Sequence, residues 1–430
     1  MMTKIKPFKA LIYNQEKFPD LSKVVCPPYD IISPAQQQYY HDLDEHNLLH
    51  VLLSKDSPDK DKYQVAGSYF RDWLKNKILV QDKGPAVYFY SHQYNIKGEK
   101  RIRHGFLALM RLGDSSAPVF AHEHTRLEAK EDRARLIRQV KANLSPIFVL
   151  FPDKKRVVAY LHQQYLKDKK PFMDITDDER NNHKVWRIDA PEVLEAIQQK
   201  MQDENFFIAD GHHRYEVACG YRDEVKRKQG NLSEEDECNY ILTYFTNTDS
   251  LGLTILPIHR LVKLEKNFDI EGFITSLKEF FYVEEVKDKV KFFFLLEKAG
   301  RTEHIIGMYK NKKYWLVRLR NIKIVDKMIT DRPPEYRRLD VSILNYIILQ
   351  HILRLDVDNK DVVTFNPEAE ELIDQVDADP AYISFFLNPT KVGQIMSVAI
   401  NGNKMPPKST YFYPKVLSGL VINKFNEDKV

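Results

Sequence analysis

The chain has 430 residues, of which 43% are apolar and 12% aromatic, enough for a buried core and for two or three domains. Lys and Arg number 65 against 61 Asp and Glu, a net charge of +4, which excludes a protein coated with basic residues for nucleic acid. No run reaches the roughly 20 apolar residues that cross a bilayer. Met1 to Pro7 hold no apolar leader, and Cys26, Cys219 and Cys238 lack metal-ligand spacing, so the expected setting is a reducing cytoplasm.

In chain order, Pro7-Lys9-Leu11-Tyr13 reads as a short strand followed by an irregular loop, Cys26-Pro27-Pro28-Tyr29-Asp30. Ser33-Pro34-Ala35-Gln36 predicts a helix start, with Ser33 as N-cap and Gln36 completing a capping box. A second helix is expected over Gln64 to Lys75, with Val65, Tyr69, Trp73 and Leu74 on one face. Ala86 to Leu109 reads as a hairpin about Asn95-Ile96-Lys97-Gly98-Glu99. Leu127 to Ala142 is a charged helix, Ile147 to Phe151 a buried strand, and Pro191 to Met201 a helix with proline at its start. Phe206 to Lys228 is strand, glycine turn and helix, with further core strands at Tyr240 to Phe245 and Leu253 to Leu256. After Lys263 the pattern predicts a helix over Glu271 to Phe281 and strands at Phe292 to Glu297, Glu303 to Tyr309 and Tyr314 to Arg318. An apolar helix then follows from Val341 to Leu353, and Tyr382 to Leu387 and Leu417 to Val421 read as strands. The expected division is a first domain over 1–260 and a second over 261–430.

The segment Asp210-Gly211-His212-His213-Arg214 carries the strongest chemistry. A helix that starts where a strand ends aims its first N–H groups and its positive dipole at whatever lies beyond, and phosphate fits there. Gly211 permits close approach of the backbone, His212, His213 and Arg214 add donors, and Asp210 can hold Mg²⁺ or orient a hydroxyl. The plain alternative is a turn whose histidines cap the helix and pair with neighbouring carboxylates; two histidines and an arginine are costly to bury for packing alone. His122-Glu123-His124-Thr125 places two histidines on one side of an extended segment, and Glu123 is a candidate general base. His124 and Arg126 are candidate phosphate donors, as are Lys408, Ser409 and Thr410 in a proline-braced loop that is equally a plain surface loop. There is no GxxxxGK[ST] loop and no GxGxxG fingerprint.

Ile208-Ala209-Asp210-Gly211-His212-His213-Arg214-Tyr215-Glu216 resembles the signature of a large prokaryotic family, domain-of-unknown-function family 1015. The resemblance extends over Pro27-Pro28-Tyr29-Asp30, His122 to Thr125, Asn143 to Phe148 and Met405 to Lys415. The Gly-His-His-Arg core is also similar to the nucleotide-binding motif of ParB/sulfiredoxin-fold proteins, among which the free-serine kinases carry a very similar Asp-Gly-His-His-Arg turn. The resemblance implies an α+β protein with a ParB/sulfiredoxin-like core and a C-terminal α+β region. It implies ATP or ADP with Mg²⁺ as cofactors, and Asp210, His212, His213 and Arg214 at the phosphates and transfer site. Sulfiredoxins hold a reactive cysteine where this chain has His212, so their chemistry is not expected, and no helix-turn-helix of the partition proteins is present.

The functional expectation is a nucleotide-dependent phosphotransferase acting on a small hydroxylated metabolite, free L-serine among them, with catalytic Asp210, His213 and Glu123. Gly211, His212, Arg214, His124, Arg126, Lys408, Ser409 and Thr410 would hold nucleotide or phosphate. Partners are nucleotide and small molecule, with no membrane or nucleic acid. One alternative is a nucleotide-binding ParB-like switch or binding protein without kinase activity. A further one is a metal-dependent hydrolase built on His122, His124 and the 212–213 pair.

Overall fold

The computed structural model describes residues 4–113, 118–230 and 232–425; residues 1–3, read above for a leader, lie outside them. The chain is a mixed α+β protein that divides into two compact units. One comprises Met1–Ala121, Thr125–Leu253 and Pro414–Val430, the other His122–His124 and Thr254–Tyr413. Among the described residues no helix is long and apolar enough to cross a membrane.

The first unit is built on a nine-stranded mixed sheet. Its order runs Val119–Phe120, Phe206–Asp210, Ile147–Phe151, Tyr240–Asn247, Glu99–Arg111, Val87–Ile96, Asn182–Ile188 and Met173–Thr176, with Ile5–Lys6 paired to the end of Glu99–Arg111. The hairpin Val87–Ile96/Glu99–Arg111 closes through Lys97 and Gly98, both at positive φ (49° and 78°), the mirror-image turn that matches strand twist. Tyr240–Asn247 runs parallel to Ile147–Phe151 and antiparallel to Glu99–Arg111. Phe89, Phe106, Ile147, Val149, Ile208 and Phe245 form the centre of its core. Each such side chain contributes roughly 1.5–3 kcal/mol by burial.

Helix starts follow the local chemistry. Ser33 accepts the Gln36 N–H at 3.2 Å while Gln36 Oε1 accepts the Ser33 N–H at 2.9 Å, so Pro34–Leu43 opens on the expected capping box. Lys62–Lys75 begins two residues earlier than the apolar spacing predicts, because Asp61 caps it through Tyr63 and Gln64. Leu127–Val140 stops at Lys141, which takes a left-handed conformation at φ 47°.

The second unit holds a six-stranded antiparallel sheet, ordered Phe281–Val286, Lys313–Leu319, Ile305–Lys310, Tyr382–Phe386, His259–Lys263 and Val363–Asn366. The expected strand at Phe292 to Glu297 is instead part of the helix Lys289–Ala299. Asp288 caps that helix through the Lys291 N–H at 2.6 Å, and Phe292 and Leu296, one turn apart, face the core while Phe294 is 61% exposed. A five-residue apolar run carries no periodicity with which to separate strand from helix. The expected helix Val341 to Leu353 is a short α-helix, Asp340–Ile343, that widens into a π-helix over Leu344–Ile352. The expected strand Leu417 to Val421 is replaced by isolated bridges, Cys26 to Ser418 and Leu11 to Ile422, and a two-residue pairing of Asn423–Lys424 with Ala142–Asn143.

Candidate functional site

Phe206–Asp210 is an apolar strand because it lies between two others: antiparallel to Ile147–Phe151 and parallel to Val119–Phe120. Its register with Ile147–Phe151 shifts between Ile208 and Asp210, and the irregularity releases the chain into the next turn. Gly211 stands there at φ 91°, ψ 29° and caps the eighteen-residue helix His212–Gln229. A side chain at 211 would strain the backbone, and its Cβ would lie 2.8 Å from Ile147 Cγ2 and 3.1 Å from Arg214 Cζ, so glycine is required. The first N–H groups of an α-helix have no partner within it, and glycine offers no side-chain oxygen to take them.

Asp210 is the electrostatic centre. Its carboxylate accepts from Arg214 Nη2 at 2.6 Å through Oδ2 and from Lys415 Nζ through Oδ1. Burial works against its charge, but the Lys415 ammonium and the Arg214 guanidinium outweigh that and hold its carboxyl well below the usual carboxylate range. Arg214 also donates to the Pro146 carbonyl. Lys415 comes from a segment pinned nearby: Arg103 donates to the Pro414 carbonyl at 2.8 Å, and the Ser418 hydroxyl meets that of Ser145 at 2.6 Å.

His213 Nε2 accepts the Arg126 N–H at 3.0 Å, which leaves the imidazole neutral with its proton on Nδ1. Burial pushes its pKa down, with Arg126 and Lys130 adding to the effect and Asp30 and Glu216 opposing it. Glu216, one turn on from His212, accepts from Thr125 Oγ1 at 2.5 Å and Lys130 Nζ at 3.0 Å. His212 is buried. Tyr29 and Asp30 arrive from the Pro27-Pro28-Tyr29-Asp30 loop. Arg133 stacks on the Tyr29 ring at 4.3 Å, Tyr29 feels both Arg214 and Asp210, and the exposed Asp30 acts electrostatically on His213.

Of the expected site residues, the first unit thus holds Asp210, Gly211, His212, His213, Arg214 and Arg126. Glu123, His124, Lys408, Ser409 and Thr410 belong to the second. There, His122 Nε2 lies 3.2 Å from Thr410 Oγ1, the His122 carbonyl accepts the Met405 N–H at 2.7 Å, and Ser409 Oγ donates to the Pro406 carbonyl at 2.5 Å. Lys408 sits at φ 55° with its carbonyl taken by the buried Arg260 at 3.1 Å. Those hydroxyls brace the loop. Among the described residues no group of three or more His, Cys, Asp or Glu can hold a metal ion. Lys415 and Tyr29 are the site residues that sequence reasoning passed over. Lys415 was visible only as one more cation after Lys408, and Tyr29 only as part of a proline-held loop.

Among solved structures, the chain is similar to a variant of free serine kinase in complex with ADP, at 12% identity and a TM-score of 0.33, over 70% of this chain and 89% of that one. A conserved hypothetical protein from Pyrococcus furiosus matches at 12% identity and 0.33, over 73% and 94%. SbnI from Staphylococcus aureus matches at 10% identity and 0.36, over 73% and 85%. No curated protein matches the sequence. The family model described as protein of unknown function (DUF1015) matches residues 5–342, and the chain belongs to that family.

Proposed function

We propose that the 210–214 turn binds the phosphates of ATP or ADP and that the chain is a nucleotide-dependent phosphotransferase acting on a small hydroxylated metabolite. The observation that carries this reading is the glycine-capped start of His212–Gln229, flanked by Arg214 and Lys415. Phosphoryl transfer needs little covalent help from a protein; it needs phosphates held in place and their growing charge neutralised. The helix start supplies backbone donors, and Arg214 offers a planar, always-charged fork once a phosphate competes with Asp210 for it. Both Asp210 oxygens are engaged by Lys415 and Arg214, so Asp210 is not free to hold Mg²⁺, which would enter with the nucleotide and supply charge neutralisation at its phosphates.

A hydroxyl acceptor also needs a base within hydrogen-bond reach. Asp30 is an exposed carboxylate of the first unit whose field reaches His213, and we assign it that role in place of Glu123. The likeness of the turn to that of free-serine kinases makes L-serine the first acceptor to try. The test is a ³¹P NMR assay of the full chain with MgCl₂, ATP or ADP, and L-serine within a panel of small hydroxylated metabolites. A new phosphomonoester signal is expected, falling about 100-fold in Asp30→Asn and in His213→Gln. Both variants spare the buried ion triad, so a loss reads as chemistry. Nucleotide binding without any product would replace this reading with a nucleotide-controlled binding protein, and no nucleotide binding at all would remove both.

A further inference from the structure

Residues of four helices, Pro34–Leu43, Leu49–Leu52, Lys62–Lys75 and Leu127–Val140, line a cavity of about 390 Å³ in the first unit. That volume lies within the range of small-ligand sites, roughly 300–1,000 Å³. Its wall carries a hydroxyl with nothing to bond: Ser54 is 7% exposed and its Oγ has no hydrogen-bond partner. An unsatisfied buried hydroxyl costs about 1–3 kcal/mol, a cost that a polar ligand removes. The wall also carries Lys55, exposed and donating to Gln38 Oε1 at 2.5 Å, with Lys62 and Arg133, against one carboxylate, Asp56. Asp132, behind the wall, accepts from Lys62 Nζ at 2.8 Å and Tyr63 Oη at 2.7 Å, and pairs with Arg133 at 2.5 Å. Three cations against two carboxylates leave one net positive charge. That balance matches a single carboxylate better than a doubly charged phosphomonoester.

The cavity shares a wall with a smaller one that Arg214 of the 210–214 turn also lines. Leu52, Arg133 and Leu136 line both, and the smaller, of about 60 Å³, is walled by Tyr29 as well. Arg133, fixed by its bond to the Leu52 carbonyl at 2.9 Å and stacked on Tyr29, is the shared partition.

We propose that this cavity binds a small carboxylate whose charge faces Lys55 and Lys62 and whose second polar group bonds Ser54 Oγ. This binding does not rest on the phosphotransferase reading.

The experiment is isothermal titration calorimetry on the full chain with L-serine, glycerate and L-lactate, with inorganic phosphate as competitor and ATP in a separate titration. At least one carboxylate is expected to bind the wild type, about tenfold more weakly to Ser54→Ala and to Lys62→Met, with ATP affinity within about twofold of wild type. Circular dichroism and the thermal midpoint of each variant show that it is folded. Carboxylate affinity unchanged in both variants, no carboxylate bound by the wild type, or phosphate displacing it at equal concentration would each overturn the pocket. Absence of ATP binding in the wild type would overturn the phosphotransferase reading and leave carboxylate binding standing.

Discussion

Asp210 holds two buried cations at once, and its removal differs from an ordinary loss of one ion pair. Lys415 and Arg214 have side chains only 10% and 12% exposed, and Asp210 is the carboxylate both reach. In Asp210→Asn the side chain keeps its shape, but two desolvated positive charges lose the carboxylate that both reach. Breaking a buried ionic group by deleting one partner costs about 3–5 kcal/mol. Asp210→Asn is therefore expected to lose that much stability in urea unfolding. If the turn binds nucleotide as proposed, bound nucleotide should restore part of it, because its phosphate would replace the missing negative charge. A variant as stable as wild type in the absence of nucleotide would show that the two cations are solvated and that the triad is not the buried site described above.

The elements around that site differ in how much substitution they tolerate, and the difference is steric before it is electrostatic. Gly105, in Glu99–Arg111, sits where a Cβ would fall 2.2 Å from the Phe245 carbonyl oxygen and 2.5 Å from the Tyr244 ring. Neither neighbour is the free end of a flexible chain, so Gly105→Ala must push the central strands apart. A loss of about 3 kcal/mol or more is expected in urea unfolding. Between the helices Leu127–Val140 and His212–Gln229, by contrast, the Arg138–Glu224 pair at 2.8 Å has its arginine 48% exposed, and Glu224→Gln should change stability by less than about 1 kcal/mol. The same distinction governs what could be read in advance. The strand, glycine and helix of 206–229 were legible because every signal is local: an apolar run, a residue free to take positive φ, and a helical stretch. Lys415 was not legible, since its partner Asp210 is 205 residues away and only the return of 414–425 to the first unit joins them. The run Phe292 to Leu296 was misread because burial on one face needs two or three turns of pattern before it declares a helix. Ser54 carried no signal of its own, being one serine among loop residues until the helices around it enclosed a cavity.

For the molecule as a whole, groups shifted in opposite directions contribute to the response to acid. His104 stacks on His162 at 4.3 Å between ring centroids, and burial first, then that neighbour, pushes its pKa down to about 4. The unfolded chain, with an ordinary histidine near 6.5, binds more protons between those values, so the contribution of His104 is present above pH 6.5 and lost as pH falls to 4. Its size is at most about 3 kcal/mol. Burial drives His92 in the same direction. Asp153 acts with the opposite sign. Burial lifts its pKa to about 6, although its carboxylate accepts the Val157 and Val158 N–H groups at 2.6 and 3.2 Å. Its folded value lies above its unfolded one, so its contribution is complete below about pH 4 and lost as pH rises through 6, again by about 3 kcal/mol at most. The two partly cancel between pH 4 and 6, and the wild-type curve conceals both. Differences expose them. From pH 7 to pH 4.5 the thermal midpoint of His104→Gln should rise relative to wild type by a few °C, and that of Asp153→Asn should fall by a similar amount. Parallel curves for all three proteins would mean that neither group changes its proton affinity on folding.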